Sequence, residues 1–211
     1  MTAKGLLREP FLLGGVQMTS RWRQTTPDEL ADWLAPVTVP WAIAGGWALT
    51  LWSGQQGREH SDIEISCLLG HLEALLGALG DFEIAIARNK QLSPWVRGNK
   101  PEQPFSLWLR RPGDTLWAFE ILAELHQGDA WHYRRAPEIT RPLRDLFIPS
   151  PGGMQVIAPE VQLLYKCKEP RDKDLADLQR IVPMLDYPAR EWLLASVATA
   201  HPHMLDVIAS L

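Results

Sequence analysis

The sequence predicts an α/β fold (α+β in type) whose C-terminal part is helical. Two patterns in the first half indicate strands and helices together. An apolar run meets a pair of glycines and continues with helix-forming residues over 41–52, and polar and apolar residues alternate over 62–69. From Pro159 onward, apolar residues recur at helical spacing instead.

The first predicted helix begins at Pro27. Thr26 is a suitable N-cap residue, Pro27 suits the first helical position, and two acidic residues follow in the first turn. Pro36 and Pro40 end this helix, because proline cannot continue a helical hydrogen-bond ladder.

A strand, a glycine turn and a second helix follow. The short apolar run 41–44 reads as a strand, Gly45 and Gly46 as a tight turn, and 47–52 as a helix that Gly54 ends.

The remaining elements are predicted from the same signals. In chain order they are a strand at 62–69, a helix at 71–79, a strand at 82–86, a loop at 88–104, a hairpin of strands 105–109 and 116–125, a basic and proline-rich stretch at 131–151, and helices from 159 onward. We therefore expect a weakly structured segment at 1–25, an α/β domain at 26–151 and a helical subdomain at 152–211.

Composition excludes several classes of protein. The 21 Lys and Arg against 25 Asp and Glu give a net charge of −4, which does not favour a nucleic-acid partner. No apolar run approaches the roughly 18 residues of a membrane span, and no signal peptide is recognised. Cys67 and Cys167 have no metal-type spacing, so we expect reduced thiols and a cytoplasmic protein.

Asp62 and Glu64 are the first candidate metal ligands. Side chains two residues apart on a strand project from the same face, about 6–7 Å apart. Paired carboxylates suit Mg²⁺, which is commonly held by one or two carboxylates together with substrate phosphates. A plain solvent-facing strand carries the same pattern, so the pair alone is weak evidence.

The glycine pair upstream makes the metal interpretation more specific. Gly45 and Gly46 stand between a strand and a helix, where backbone N–H groups bind phosphate and the missing Cβ atoms allow close approach. A phosphate-binding turn followed closely by Asp62 and Glu64 would bring phosphate and metal binding into one short unit.

A third carboxylate is expected from a neighbouring strand. Glu120 lies within an otherwise apolar strand, where an ionised group is costly unless it is paired or bound to metal. Glu124, four residues on, is the competing candidate. A salt bridge from Glu120 to a nearby arginine is the structural alternative.

These residues resemble the nucleotidyltransferase superfamily, and more closely the aminoglycoside 2″-adenylyltransferase family. The resemblance extends from about Pro27 to the C-terminus. It rests on the following runs, given in chain order: Trp41-Ala42-Ile43-Ala44-Gly45-Gly46-Trp47-Ala48-Leu49, Gly54, Arg58-Glu59-His60-Ser61-Asp62-Ile63-Glu64, Trp131-His132-Tyr133-Arg134-Arg135, the run 158–166, and Lys173-Asp174-Leu175-Ala176-Asp177.

The resemblance implies a nucleotidyltransferase-type mixed sheet and transfer of AMP from Mg-ATP to a hydroxyl group, with release of pyrophosphate. Asp62 and Glu64 would hold two Mg²⁺ ions, and Glu120 would contact one of them and accept the proton of the attacking hydroxyl. The backbone at Gly45 and Gly46 would hold the β- and γ-phosphates.

The sequence departs from the family pattern at four positions. Glu64 and Glu120 stand where the family usually has Asp, which lengthens each side chain by one methylene. Gly57 replaces a usual Thr, and Thr50 replaces a common Asp.

Other side chains are secondary candidates. Arg58 is expected to contact phosphate, as is Lys166 or Lys173 from the helical part, and His60 to orient the loop or a ligand carboxylate. The alternatives are a surface ion pair for Arg58 with Glu59 or Asp62, ordinary helix-surface pairs for the lysines, and a hydrogen-bonded loop position for His60.

The arginines at 134, 135, 141 and 144 are candidates for contact with triphosphate, and a solvated surface is the alternative. Trp95 and Trp131 are candidates for stacking on adenine or a sugar, and a core position is the alternative.

The acceptor that we expect is a small, hydroxyl-bearing, aminoglycoside-like molecule, bound by a monomer or homodimer. An adenylyltransferase with a non-antibiotic or protein acceptor, a non-catalytic nucleotide-binding or interaction protein, and a metal-dependent hydrolase remain alternatives.

Overall fold

The computed structural model describes residues 11–13, 16–18, 22–55, 57–96, 98, 102–103 and 105–211. Backbone contacts divide the chain into two compact units that alternate along the sequence. Unit 1 contains residues 1–40 and 59–123, and unit 2 contains residues 41–58 and 124–211.

The described residues form twelve strands and seven α-helices. The strands are β1 (Phe11–Leu13), β2 (Val16–Met18), β3 (Trp41–Ala44), β4 (Glu64–Leu68), β5 (Glu83–Arg88), β6 (Gln91–Pro94), β7 (Ser106–Arg110), β8 (Phe119–Gln127), β9 (Ala130–Tyr133), β10 (Ala136–Pro142), β11 (Phe147–Pro149) and β12 (Gln155–Ile157). The helices are α1 (Pro27–Leu34), α2 (Gly45–Ser53), α3 (Leu72–Ala78), α4 (Pro159–Lys166), α5 (Asp172–Ile181), α6 (Tyr187–Ala200) and α7 (Leu205–Ala209).

Unit 1 is built on a mixed sheet with the strand order β4-β8-β7-β5-β6-β1-β2. In this order β8 pairs with β7, β7 pairs with β5, and β5 pairs with β6, each time antiparallel. Strand β1 lies parallel to β6. The N-terminal part of β8 belongs to this unit, and the strand continues into unit 2 after Ala123.

The two faces of this sheet differ in character at the start of β8. The Phe119 ring packs against Trp33 of α1 and against Phe82, with centroid distances of 6.2 and 5.4 Å. Successive strand residues point to opposite faces, so Glu120 lies on the face away from α1. There it stands directly opposite Trp108 of β7.

Unit 2 contains a small sheet in which β12 pairs parallel with β3 and antiparallel with β11. A second group of paired strands consists of β9, β10 and the C-terminal end of β8, and β9 pairs with both of the others. Helix α4 packs against α2 and α6, and its residues 161, 163 and 164 are fully buried. The helices predicted after 159 are confirmed.

The structure also confirms the first two predicted helices. Thr26 caps α1, because its side chain accepts a hydrogen bond from the Glu29 N–H. Gly54 ends α2 in the left-handed conformation, with φ of 63°. The glycine pair is part of α2 itself, and Gly45 adopts a positive φ of 67° at the junction with β3.

Three sequence predictions need correction. Strand β4 begins at Glu64, so Asp62 lies two residues before it. The expected loop at 88–104 contains β6, which pairs with β5 across a turn whose Asn89 and Lys90 have positive φ. The stretch 131–151, read only as basic and proline-rich, contributes strands β9, β10 and β11.

Much of the segment 1–25, predicted to be weakly structured, lies outside the described residues. Within the part that is described, β1 and β2 pair antiparallel. The division at 26–151 and 152–211 stays a prediction. In the portions of the chain that the structure covers, no helix combines the length and hydropathy that crossing a bilayer requires.

Candidate active site

Asp62 is a buried carboxylate at the entry to β4. It is 8% exposed, and the Ser61 hydroxyl donates to its Oδ1 at 3.2 Å. The next residue, Ile63, is fully buried, as is Ile65. The strand that follows is buried on both faces from Ile65 to Leu68, and this close packing holds the segment in place.

Glu120 approaches the same segment through its backbone. Its N–H donates to the carbonyl oxygen of Ile63 at 3.0 Å, and its side chain is 7% exposed. Ile63 is the residue between Asp62 and Glu64. The expected third carboxylate is therefore carried by a strand that is hydrogen-bonded to the segment bearing the first two.

The donor chemistry of these three residues fits Mg²⁺, since hard divalent cations prefer carboxylate oxygens. Among the residues that the structure describes, no three His, Cys, Asp or Glu side chains are arranged as a ready metal-binding group. Mg²⁺ usually retains water and takes part of its ligands from substrate phosphate, so it does not require a complete protein cage. The assignment of Asp62, Glu64 and Glu120 as metal ligands stays a prediction.

Gly45 carries a contact that the sequence did not indicate. Its N–H donates to the side-chain oxygen Oε1 of Gln162 on α4 at 2.7 Å. Helix α2 has no side-chain cap from Ala44, so Gln162 satisfies one of its first N–H groups from a distant part of the chain. A role of Gly45 and Gly46 in phosphate binding stays a prediction, and any such role of the Gly45 N–H competes with Gln162.

Arg58 and Lys166, the two cations predicted to contact phosphate, meet at one carboxylate in unit 2. The Lys166 ammonium lies 2.9 Å from Asp177, and the Arg58 guanidinium lies 3.3 Å from it. Lys166 also contacts Asp174 at 2.9 Å. Its side chain is 8% exposed, which is unusual for a lysine and is explained by these two partners.

Glu124, the competitor of Glu120, has a different environment. It is 1% exposed, and its Oε2 accepts hydrogen bonds from the Trp131 indole at 2.8 Å and the Tyr165 hydroxyl at 2.6 Å. Arg134 lies 4.0 Å from its other oxygen and stacks over the Tyr165 ring. Desolvation raises the pKa of Tyr165 well above 10.0, and the negative charge of Glu124 adds to this shift.

Several secondary candidates are parts of the packed structure. Trp131 is fully buried, so its ring is not available to stack on a ligand. Arg135 donates to the Tyr133 hydroxyl at 3.0 Å, and Arg141 pairs with the buried Glu160. Burial raises the pKa of Glu160 in spite of this arginine.

Clefts of ligand size occur in both units. A cleft of 470 Å³ in unit 1 includes Trp95, Trp117 and the Glu83–Arg110 ion pair in its lining, and one of 520 Å³ in unit 2 includes Trp52, Glu160 and Trp192. None of the predicted metal-binding or phosphate-binding residues lines either cleft.

Comparison with known proteins gives one match to a family model, that of aminoglycoside-2''-adenylyltransferase, over residues 28–97. The matched segment contains Gly45, Gly46, Arg58, Asp62 and Glu64, whereas Glu120 and Lys166 lie outside it. A comparison with curated proteins gives no match.

Among solved structures, the chain is similar to the lincosamide antibiotic adenylyltransferase LnuA in its lincomycin-bound form, with a TM-score of 0.51, 21% identity, and coverage of 74% of this chain and 96% of that one. It is also similar to a nucleotidyltransferase-like protein from Paracoccidioides brasiliensis, at a TM-score of 0.45 and 20% identity, covering 88% and 94% of the two chains. For ANT(2")-Ia in complex with adenylyl-2"-tobramycin the TM-score is 0.41 and the identity 13%, covering 87% and 92%.

The LnuA likeness confirms the fold class. The family match confirms the prediction of an enzyme class, adenylyltransferase-like nucleotidyltransferases. The chain thus shares its fold with LnuA, and residues 28–97 match the family model of aminoglycoside-2''-adenylyltransferase.

Proposed function

We propose that this protein transfers AMP from ATP to a hydroxyl group of a small, aminoglycoside-like molecule and releases pyrophosphate. The observation that carries the proposal is the family match over residues 28–97, because that segment holds the glycine pair, Arg58 and the Asp62–Glu64 pair in the expected order. The fold shared with a lincosamide adenylyltransferase adds lincosamides to the acceptors worth testing.

Asp62, Glu64 and Glu120 would hold two Mg²⁺ ions. When bound, such ions stabilise charge on the attacking and leaving oxygens of an in-line phosphoryl displacement. The burial of Asp62 and Glu120, at 8% and 7% exposure, supports this role, since a carboxylate buried at that level needs a cation or hydrogen-bond donors.

Glu120 would also accept the proton of the attacking hydroxyl. A carboxylate beside the nucleophile positions it and removes its proton as the new P–O bond forms. The rigid backbone at Glu120, fixed by the hydrogen bond to Ile63, favours such a positioning role. Arg58, Lys166 and the backbone at Gly45 and Gly46 would bind the phosphates of ATP.

We further propose a cytoplasmic enzyme, monomeric or homodimeric, with no nucleic-acid or membrane partner. The formal charge of −4 supports the absence of a nucleic-acid partner.

The test is a screen for pyrophosphate release with all four nucleoside triphosphates, Mg²⁺, and panels of aminoglycosides and lincosamides. We expect release with ATP that depends on an acceptor. In parallel, Mg-ATP should raise the melting temperature of the wild-type protein, since a ligand that binds only the folded state stabilises it.

Asp62→Asn should abolish release and the Mg-ATP-induced rise in melting temperature. Asp81→Asn is the matched control, because Asp81 is an exposed aspartate of the same unit. Mg-ATP binding without pyrophosphate release from any acceptor would favour a non-catalytic nucleotide-binding protein. Phosphate release from ATP without an acceptor would favour a hydrolase.

A further inference from the structure

Asp177 of α5 is a buried carboxylate at which three cations meet. Its side chain is 3% exposed, and the Lys166 ammonium and the Arg58 guanidinium lie 2.9 and 3.3 Å from its Oδ2. Arg180, one turn later on the same helix, lies 3.8 Å from Oδ1. The two carboxylate oxygens are therefore shared among charges that belong to different elements.

Lys166 and Arg58 reach this carboxylate from distant parts of the sequence. Lys166 is the last residue of α4, and Arg58 lies in the loop between α2 and β4. Both have long side chains, and fixing such a chain in one conformation costs rotamer entropy. A buried carboxylate that contacts both side chains fixes them during folding, so this entropy is already lost before any ligand binds.

Asp174, one turn earlier on α5, holds the other side of Lys166. It contacts Lys166 at 2.9 Å and the Arg171 guanidinium at 2.7 Å. Burial opposes its ionisation, but hydrogen bonding to Arg171 and the charge of Lys166 keep the pKa of Asp174 well below its ordinary value of 3.8. Lys166 is thus fixed between two aspartates, whereas Asp177 is the residue that links it to Arg58.

We propose that Asp177 is a positioning residue for the triphosphate. It would not touch the nucleotide, and it would act by holding Lys166 and Arg58 at one fixed separation and orientation for the phosphate oxygens. This inference rests on the proposed function, which assigns phosphate binding to those two cations.

The proposal predicts two opposite consequences of removing the charge of Asp177. Without this carboxylate the cations attract a polyanion more strongly, because a negative charge about 3 Å away no longer opposes the attraction. At the same time the cations lose their fixed geometry, and a misplacement of about 1 Å can cost about a hundredfold in rate. A counter-ion that serves only stability would leave kcat unchanged in a folded variant.

The experiment compares Asp177→Asn with the wild-type protein and with Asp172→Asn, in which an exposed aspartate of the same helix loses its charge. Three quantities are measured: the melting temperature, the affinity for inorganic tripolyphosphate by calorimetry, and kcat and KM for ATP from pyrophosphate release. Asp172→Asn should match the wild-type protein in all three.

For Asp177→Asn we expect kcat to fall by about tenfold or more, KM for ATP not to rise, and tripolyphosphate to bind about threefold or more tightly. Unchanged kcat and unchanged tripolyphosphate affinity in a folded variant would overturn the proposal and leave the proposed function intact. Weaker tripolyphosphate binding would overturn it too, because the loss of a negative charge beside Lys166 and Arg58 would then fail to strengthen their attraction for a polyanion.

Two further measurements keep the proposal testable in every case. If Asp177→Asn does not fold, Asp177→Glu retains the charge but moves it by one methylene, and we expect lower kcat with tripolyphosphate affinity unchanged. If the wild-type protein transfers AMP to no acceptor, the proposed function fails. The proposal for Asp177 is then tested by tripolyphosphate calorimetry. Tighter binding in Asp177→Asn than in the wild-type protein supports an effect of Asp177 on Lys166 and Arg58, and equal binding refutes it.

Discussion

Two glutamates of β8 show how one strand provides two different environments for the same side chain. Glu120 lies at 7% exposure next to the segment that carries Asp62 and Glu64, and its backbone bonds to that segment. Glu124 lies at 1% exposure, and its Oε2 accepts from the Trp131 indole and the Tyr165 hydroxyl. Burial alone therefore does not distinguish the two glutamates, whereas the groups that surround their carboxylates differ.

The neighbours of Glu124 are typical of a structural anchor. Two neutral donors use one carboxylate oxygen, and the rings of Trp131, Tyr133 and Tyr165 pack around it, with the two tyrosine centroids 5.1 Å apart. Removing an acceptor of this kind leaves donors unsatisfied in a dry environment. The cost should appear as lost stability.

The largest expected effect separates the two glutamates by activity. Glu120→Gln keeps the shape but removes the charge that would bind metal and accept a proton, so kcat/KM should fall by about a thousandfold or more. Glu124→Gln should keep activity per folded molecule within about threefold. Pyrophosphate release, normalised to folded protein, measures both.

Glu102→Gln, a change at an exposed glutamate of unit 1, provides the baseline for this experiment. The assignment of activity to Glu120 and stability to Glu124 is wrong if Glu124→Gln loses as much activity as Glu120→Gln while remaining folded. In that case the third carboxylate of the site is Glu124.

The second effect separates them by stability. Glu124→Leu should lower the free energy of unfolding by about 3 kcal/mol, because it leaves the Trp131 and Tyr165 donors without their acceptor and Arg134 without a nearby charge. Tyr165→Phe, which removes one donor only, should cost about 1 kcal/mol. Urea unfolding of both single variants and the double variant gives the coupling energy.

A coupling energy near zero between these two substitutions would show that the 2.6 Å contact contributes nothing to stability. Glu120→Gln is the matched comparison at the other end of the strand. It should leave stability unchanged or increase it, since it removes a negative charge from a side chain that is 7% exposed and lies beside the segment carrying Asp62 and Glu64.

The same contrast explains which features the sequence could predict. Helix α1, the run from β3 through α2 and the position of Gly54 depend on caps, prolines and glycines, whose signals lie within a few residues. The glycine pair and the acidic pair were found in the same way, because each is a local pattern.

Features that depend on distant residues were not predictable. The contact between Gln162 and Gly45 joins positions 117 residues apart, and Asp177 meets Arg58 across 119 residues. Strand β10 was missed for a different reason. Its pairing with β9 changes register between Ala136 and Thr140, and such an irregularity breaks the alternation by which a strand is recognised.

The smallest expected effect is a pH dependence beside the Glu124 cluster. His201 caps the end of α6, is 5% exposed, and its Nε2 lies 2.8 Å from the Tyr133 hydroxyl. Burial lowers its pKa below 6.5, and the positive charges of Arg135, His203 and Lys168 add to this. The folded protein therefore disfavours protonation of His201 more than the unfolded chain does.

The sign of the effect follows from this difference. Above pH 6.5 the imidazole is neutral in both states, and the contribution to stability is complete. As the pH falls through 6.5 toward the lower pKa of the folded state, the unfolded chain binds the proton first, so stability decreases.

Urea unfolding between pH 7.5 and pH 5.5 measures this decrease in the free energy of unfolding. His201→Gln can still hydrogen-bond to Tyr133 but does not titrate, so its unfolding free energy should fall less over this range than that of the wild-type protein. His126→Gln, a change at an exposed histidine of the same unit, should retain the wild-type pH dependence. Equal slopes for His201→Gln and the wild-type protein would mean that the imidazole titrates alike in both states. The contact between His201 and Tyr133 would then not depend on the charge of the imidazole. A difference in slope would show that the folded state, with the aromatic rings around Glu124, favours the neutral form of His201.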